Sequence, residues 1–447
     1  MVRETFRPLA LGAAQVAVEA TLTGVPAGVI TNREDGVRVI EAIELLLDAD
    51  QWPAADDLSR NRTNNGDAWL NLPAVRLGQR AASAFVATPV RQQHCPTRLT
   101  PRHLGFYLIA VGLHAMNSGD LATAREYLNK GIAHYRAAAD PVNESVGLRN
   151  LSVCLAFLGE VDQGLRAAAH AAARAAEADR DAIRVSAGYR GWLLMLAGET
   201  AAAEEQFAAA DRIQHTDPGG DHLYAAGGVW WGTLLARTGR AGPAQRLTDR
   251  NRAISVNRGW NADVARCDRL LGQLALLRAD TATATPRLAA ATETFRDGDV
   301  LVELAETLSV LAECARRTGD LDTADRHVIE AMTIAAPRQL RPAQAAALTV
   351  RARIYADRAT TGNPDHLQRG RDAADAAYRI ATGHRLAWHE LDALDAHTHL
   401  DQAEGTDHGW ATKAAALRKR LIPDGLDPDP LTTIERLVAN EKAQSQL

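Results

Sequence analysis

The side chains best suited to chemistry gather late in the chain, at His384, His389, His397 and His399. His389-Glu390 opens like a zinc-protease helix, in which a second histidine four residues on completes the metal pair. That position holds Ala393. His397 and His399 are two apart, so on a helix they do not share a face. These histidines therefore read as solvated or partly buried side chains, not as metal ligands. Cys95, Cys154, Cys267 and Cys314 include no CxxC pair. They read as reduced thiols that pack as small hydrophobes. Acidic runs such as Glu204-Glu205, Asp320 to Asp325 and Asp424 to Asp429 are what an acid-rich chain produces by chance, and the last lacks the calcium-loop pattern. Neither G-x-S-x-G nor G-x-G-x-x-G occurs. None of the lysines (Lys130, Lys413, Lys419, Lys442) follows a glycine, so no P-loop cradles a nucleotide here. The expectation is a non-catalytic chain without cofactor or metal.

Arginine supplies the other positive charges. The net charge of −5 and pI near 6.3 make nucleic acid an improbable partner. Apolar residues are 46% of the chain but aromatics only 5%, so alanine, the best helix former, carries much of the apolar count. No run of 18 apolar residues predicts a membrane span. The first 20 residues lack a basic patch followed by an apolar run, so a cytoplasmic location is expected. A chain of 447 residues is too long for one ordinary core.

A repeat resolves that last difficulty. Small residues recur about 40 apart at Gly119, Gly159, Gly198, Gly239, Ala279 and Gly319. Seven residues before each stands another small residue: Gly112, Ser152, Gly191, Gly232, Gly272 and Ala312. Five after each stands a third: Ala124, Gly164, Ala203, Ala244, Ala284 and Ala324. A fixed period in this range marks a solenoid whose units pack only on their neighbours. Each unit reads as helix A, turn, helix B. In the first, Leu104 to Asn117 is helix A and Leu121 to Ala138 is helix B, with Gly119-Asp120 supplying turn and cap. The small residues let the two helices approach, and Leu128, Phe207, Leu288 and Val328 fill the holes between them.

The predicted organisation is an irregular helical region over 1–102, six repeats over 103–340, further degenerate hairpins over 341–421 and a capping segment over 422–447. Within the first region, Val37 to Leu47 is one helix that Trp52-Pro53 breaks. Asn61 to Asp67 is a loop, Ala68 to Val86 a helix with Pro73 near its start, and Gln92 to Pro101 a connector. A longer turn is expected at Gly362-Asn363-Pro364. Thr432-x-x-Glu435 is a capping box that would start a terminal helix covering the end of the stack.

The unit resembles the tetratricopeptide repeat, most closely at Gly191, Gly198, Ala203, Phe207 and Ala210, and at Gly112, Gly119, Ala124 and Leu128. The family's usual period is shorter. The resemblance implies an all-α fold, a right-handed α-solenoid of helical hairpins, with positions 2, 5, 9 and 12 of helix A facing a groove. Those positions hold Phe106, Ile109, Leu113 and Met116 in the first unit, Arg149 and Val153 in the second, and Trp192 and Met195 in the third. The fifth gives Arg266, Arg269 and Gln273; the sixth gives Glu306, Glu313 and Arg316. An apolar stretch thus grades into an arginine-bearing one. Arginine forks suit carboxylate or phosphate, and aromatics supply anchors. The expected partner-binding groove is Arg149, Trp192, Arg266, Arg269, Gln273 and Arg316. Of the adjacent Trp230 and Trp231, only one can face the core.

A narrower resemblance rests on His222-Leu223-Tyr224, the run Trp230 to Arg240, Asn257-Arg258-Gly259-Trp260 and Leu270-Leu271-Gly272. It is similar to the C-terminal repeat arrays of bacterial STAND, or NLR-like, signalling ATPases. This implies a sensor that binds a protein or peptide. Two alternatives stay open: a solenoid housing an enzyme site in specialised metabolism, and a scaffold that self-associates into a homo-oligomer.

Overall fold

A computed structural model describes residues 2–72, 74–176, 179–216, 221–359 and 364–444, without the side chains of 2–11, 364 and 442. Among the described residues every regular element is a helix. The N-terminal region holds α1 (Val2–Leu22), α2 (Arg33–Asp48), α3 (Trp52–Thr63), α4 (Asp67–Asn71), α5 (Val75–Val86) and α6 (Pro89–Arg98). Antiparallel A/B pairs follow: α7 (Pro101–Asn117) with α8 (Leu121–Ala137), α9 (Pro141–Phe157) with α10 (Val161–Ala176), and α11 (Arg180–Leu196) with α12 (Thr200–Thr216). Next come α13 (Ala225–Arg237) with α14 (Ala241–Arg258), α15 (Asn261–Leu277) with α16 (Thr281–Asp297), and α17 (Leu301–Arg317) with α18 (Leu321–Ala335). The last pairs are α19 (Arg341–Ala359) with α20 (Pro364–Gly383) and α21 (Ala387–Glu404) with α22 (Trp410–Leu421), before α23 (Pro430–Gln444). The fold is the expected solenoid of tetratricopeptide-like hairpins.

The turns explain the period. Gly119, Gly159, Gly198, Gly239 and Gly319 all adopt φ between 77° and 84°. That left-handed conformation clashes with a Cβ, so glycine recurs there. Ala279 takes the same place at φ 58°. The following aspartates cap helix B, with Asp120, Asp280 and Asp320 accepting from the backbone N–H of Thr123, Thr283 and Thr323 at 3.0–3.1 Å. In mid helix A, a Cβ on Gly112 or Gly272 would lie 2.7 Å from Leu128 or Leu288, and one on Gly191 would lie 3.0 Å from Phe207. Leu128, Phe207, Leu288 and Val328 are fully buried in those holes.

Several N-terminal expectations change. α2 ends at Asp48, before Trp52-Pro53, and the partner helix expected from Ala54 to Ser59 begins two residues earlier at Trp52, because proline at the first turn gives up no helical hydrogen bond. The loop shrinks, since α3 runs to Thr63. The single helix over 68–86 is two, α4 and α5. The connector at 92–101 is largely α6, begun by Thr88 accepting from Arg91 N and by Pro89, with Pro96 inside it. Pro73 and residues 360–363 lie outside the described residues.

Consecutive A helices touch along their length, whereas consecutive B helices make no comparable contact. The ribbon therefore curls with the A helices inside. It curls far enough to meet itself. Thr200 Oγ1 donates to the carbonyl of Leu421 at 2.5 Å, and His384 Nδ1 lies 3.2 Å from the carbonyl of Gly159. Val75 N donates to the carbonyl of Gly298, beside the Arg76–Asp299 ion pair. Arg240 clamps Glu204 at 2.7 Å and the carbonyl of Asp427 at 2.8 Å. The terminal helix follows this geometry. Its Leu431, Ile434 and Val438 are buried, and α23 packs on α12 of the third pair, not over the last hairpin. Asp429, not Thr432, caps it: Thr432 Oγ1 donates to Asp429 at 2.9 Å, because Pro430 sets the start a turn earlier. Glu435 is left free of the capping box.

Two substitutions test the hairpin logic. Ala279→Gly relieves a left-handed alanine and should raise stability by roughly 0.5–1 kcal/mol in thermal melts; an unchanged or lower melting point contradicts it. Gly272→Val drives a side chain into the immobile Leu288 and should cost about 1–3 kcal/mol; a wild-type melting curve would count against close A/B approach.

Candidate functional site

The A helices place a strip of charged and aromatic side chains along the inner wall of the coil. Its first half is aromatic. Phe157 lies edge-on to Trp192 (5.8 Å between centroids), Trp192 stacks on Trp230 (5.0 Å, 17°), and Tyr189 meets Trp230 edge-on at 5.1 Å. The Arg149 guanidinium sits 5.9 Å from the Tyr189 ring, a cation–π contact. Three successive A helices, α9, α11 and α13, thus join in one platform. Trp231 turns the other way, fully buried beside Phe207, so the tryptophan pair divides between core and inner wall.

The second half is a network of ion pairs. Arg266 binds Glu303 at 2.6 Å and Asp263 at 2.8 Å. Arg269 binds Glu303 at 2.7 Å and Glu306 at 3.2 Å. Arg316 binds Glu313 at 2.8 Å and Asp357 at 2.6 Å. Arg353 lies 3.8 Å from Glu313, and His399 3.0 Å from Asp357. Arg237 on α13 forks onto Asp392 of α21 at 2.7 and 2.8 Å, across the closed seam. The two glutamates beside Arg269 titrate apart. Burial opposes ionisation of both, yet the charges of Arg269 and Arg266 hold Glu303 below the ordinary carboxylate value. Glu306 has a poorer share of Arg269 and faces the Glu303 charge, so burial pushes it above that value. Despite burial, Glu313 is held to about 2 by hydrogen bonds from Arg316 and Arg317 and the charge of Arg353.

The sequence-predicted groove residues therefore separate. Arg266 and Arg269 meet at Glu303, and Arg316 joins the neighbouring Glu313 cluster. Their forks are taken by carboxylates of this chain, which corrects their expected role as ready anion receptors. Gln273 is half-buried on α15 and makes no hydrogen bond among the described residues. Trp192 is almost wholly buried in the aromatic stack. Ile109 and Met116 are core, with Ile109 filling the space beside Gly131 and Gly147. Arg149 differs from the other arginines. Among the described residues no carboxylate lies within ion-pair distance of it, and burial lowers its pKa below the usual arginine value.

Sequence reasoning missed Glu303, Asp357, Asp392 and Tyr189 as wall residues, and left open which of Trp230 and Trp231 turns from the core. Aligning the repeats would have found Tyr189 and Trp230, which hold the same place two residues before Gly191 and Gly232. Asp392 carried no such signal. The late histidines act structurally. His389 is desolvated, which pushes its pKa down to about 4, and His397 stacks on Trp410 at 4.2 Å. All four cysteines are buried and free. Among the described residues no helix is long and apolar enough to cross a membrane.

No family model and no curated protein matches this chain. Solved structures do. A Rap protein complexed with Competence and Sporulation Factor is 10% identical, covering 91% of this chain and 99% of its own, with a TM-score of 0.38. A STAND protein with a tetratricopeptide repeat sensor from Pyrococcus horikoshii is 10% identical, covering 95% of this chain and 65% of its own, with a TM-score of 0.38. BtubC from P. vanneervenii is 17% identical, covering 59% of this chain and 92% of its own, with a TM-score of 0.28.

Proposed function

We propose that the chain is a non-catalytic binding module whose inner wall holds a peptide or an extended protein segment. Arg149 carries this reading. Other wall arginines are neutralised by acids of the same chain, while its partner is an aromatic ring. A desolvated guanidinium gains most from a carboxylate that a ligand brings. The adjoining Tyr189 and Trp230, backed by the buried Trp192, offer flat apolar surface for an aromatic or aliphatic side chain. The preferred ligand is an acidic residue close to an apolar one. The paired arginines shape and stiffen the wall. The setting we favour, the sensor array of a STAND-type signalling system, rests on the sequence resemblance around Trp230 to Arg240.

Selection of a random peptide library on the purified chain should enrich acidic residues next to aromatic ones. Arg149→Gln should weaken the best peptide by about 10- to 100-fold, the worth of one charged hydrogen bond. Enrichment of basic peptides, or equal affinity for Arg149→Gln, would remove the assignment.

The paired half of the wall makes a separate prediction in pH. Glu303 and Glu313 are depressed, so their contribution is present above the ordinary carboxylate pKa and is lost as pH falls toward 2. Glu306 is raised, so folding holds its proton more tightly, and its contribution is present below the ordinary carboxylate pKa and lost as pH climbs through the raised folded value. Melting temperature followed from pH 5 to 8 should therefore decline less in Glu306→Gln than in wild type. Parallel curves would show that Glu306 ionises normally.

A further inference from the structure

Outside the inner wall, one cluster has the donor chemistry of a metal centre. Asp211 and His215 are four apart on α12 and so share a face. The chain returns with His222 directly beside them. One carboxylate oxygen and one ring nitrogen from each histidine all lie within 4.8 Å of one another. The imidazoles are in contact, with centroids 4.6 Å apart and planes at 56°. Asp211 is fully buried, and His222 is 4% exposed.

The surroundings hold these groups in place. Asp211 Oδ1 accepts from Leu223 N at 2.5 Å, and its Oδ2 lies 2.9 Å from His222 Nδ1. From the other side, Glu435 Oε1 of α23 lies 3.1 Å from His222 Nε2. Two imidazoles and a carboxylate, with the carboxylate and one imidazole buried and held by hydrogen bonds, are the donor set of borderline divalent metals. Calcium and magnesium prefer oxygen donors alone. The N–O separation of 2.9 Å also falls a little below the spacing of two ligands on one tetrahedral zinc, roughly 3.3 Å for bonds near 2 Å.

We infer that Asp211, His215 and His222 form a binding site for a divalent transition-metal ion of the zinc class, with Glu435 on the far nitrogen of His222 orienting that ligand. Such an ion would fasten the segment after α12, through His222, back onto that helix, and Glu435 of α23 would steady the histidine from behind. The site is separate from the inner wall, and it stands whether or not the wall binds a peptide.

The test uses the full chain, untagged and stripped with a chelator, titrated with Zn2+ and, in parallel, Co2+. Wild type should bind one equivalent of Zn2+, and Co2+ should give visible absorption of a low-symmetry nitrogen and oxygen site. His215→Ala, at a half-buried position, should weaken binding at least tenfold while circular dichroism stays unchanged. Glu435→Gln should weaken it less. Absence of saturable binding in wild type overturns the site. Equal binding in His215→Ala and Asp211→Asn also overturns it, because the ion would then sit on other histidines. If His215→Ala is unfolded, His215→Gln decides the matter by the same two readouts.

Discussion

The first, third and fifth hairpins close because a leucine or phenylalanine occupies space where the facing helix has no side chain. Leu128 against Gly112, Phe207 against Gly191 and Leu288 against Gly272 are the same contact made in alternate units. The close approach sets the distance and rotation between A and B, and rotation decides which A-helix positions face inward. Arg149 and Arg269 occupy the same place, three residues before their small residue, so both arrive on the inner wall. The wall is therefore a consequence of core packing. Enlarging a small residue would rotate the wall as well as strain the core, since packed interiors transmit strain.

This explains which features were legible in the sequence. The hairpin contact is local, between residues about 16 apart, and it repeats, so glycine spacing revealed the architecture, while the inner face was implied by the resemblance to the tetratricopeptide repeat. Whether an inward guanidinium is free depends on the next helix and beyond. Arg269 is spent because Glu303 and Glu306 arrive from α17, whereas Arg149 meets only a tyrosine from α11. Two arginines in equivalent places thus differ through residues that no single repeat contains. Proline misled the N-terminal reading for another reason. Pro53, Pro89 and Pro430 each open a helix, but a proline has the same letter whether it begins a helix or stops one.

Closure of the coil was hidden altogether. Its contacts join residues 155 to 225 apart, and no motif links Thr200 to Leu421 or His222 to Glu435. They fall together because the curl per repeat accumulates until the ribbon overtakes its own beginning. A solenoid normally needs polar caps for its open ends. Here the overlap buries part of that surface, and α23 finds an apolar seat on α12 in the middle of the chain.

Closure also changes what occupancy of the wall would do. Arg237 belongs to the helix that carries Trp230, and it forks onto Asp392 across the seam. A side chain wedged against Trp230 would press on α13, and α13 can yield only by disturbing that pair. Arg240, three residues on in the same turn, holds Glu204 and the carbonyl of Asp427. The aromatic platform and the seam therefore share one short stretch of chain, from Trp230 to Arg240. A ligand that favours one position of α13 must favour one state of the seam by the same free energy, since coupling between two sites is reciprocal. An open solenoid lacks this link, because its inner face and its ends are separated by whole repeats that flex independently.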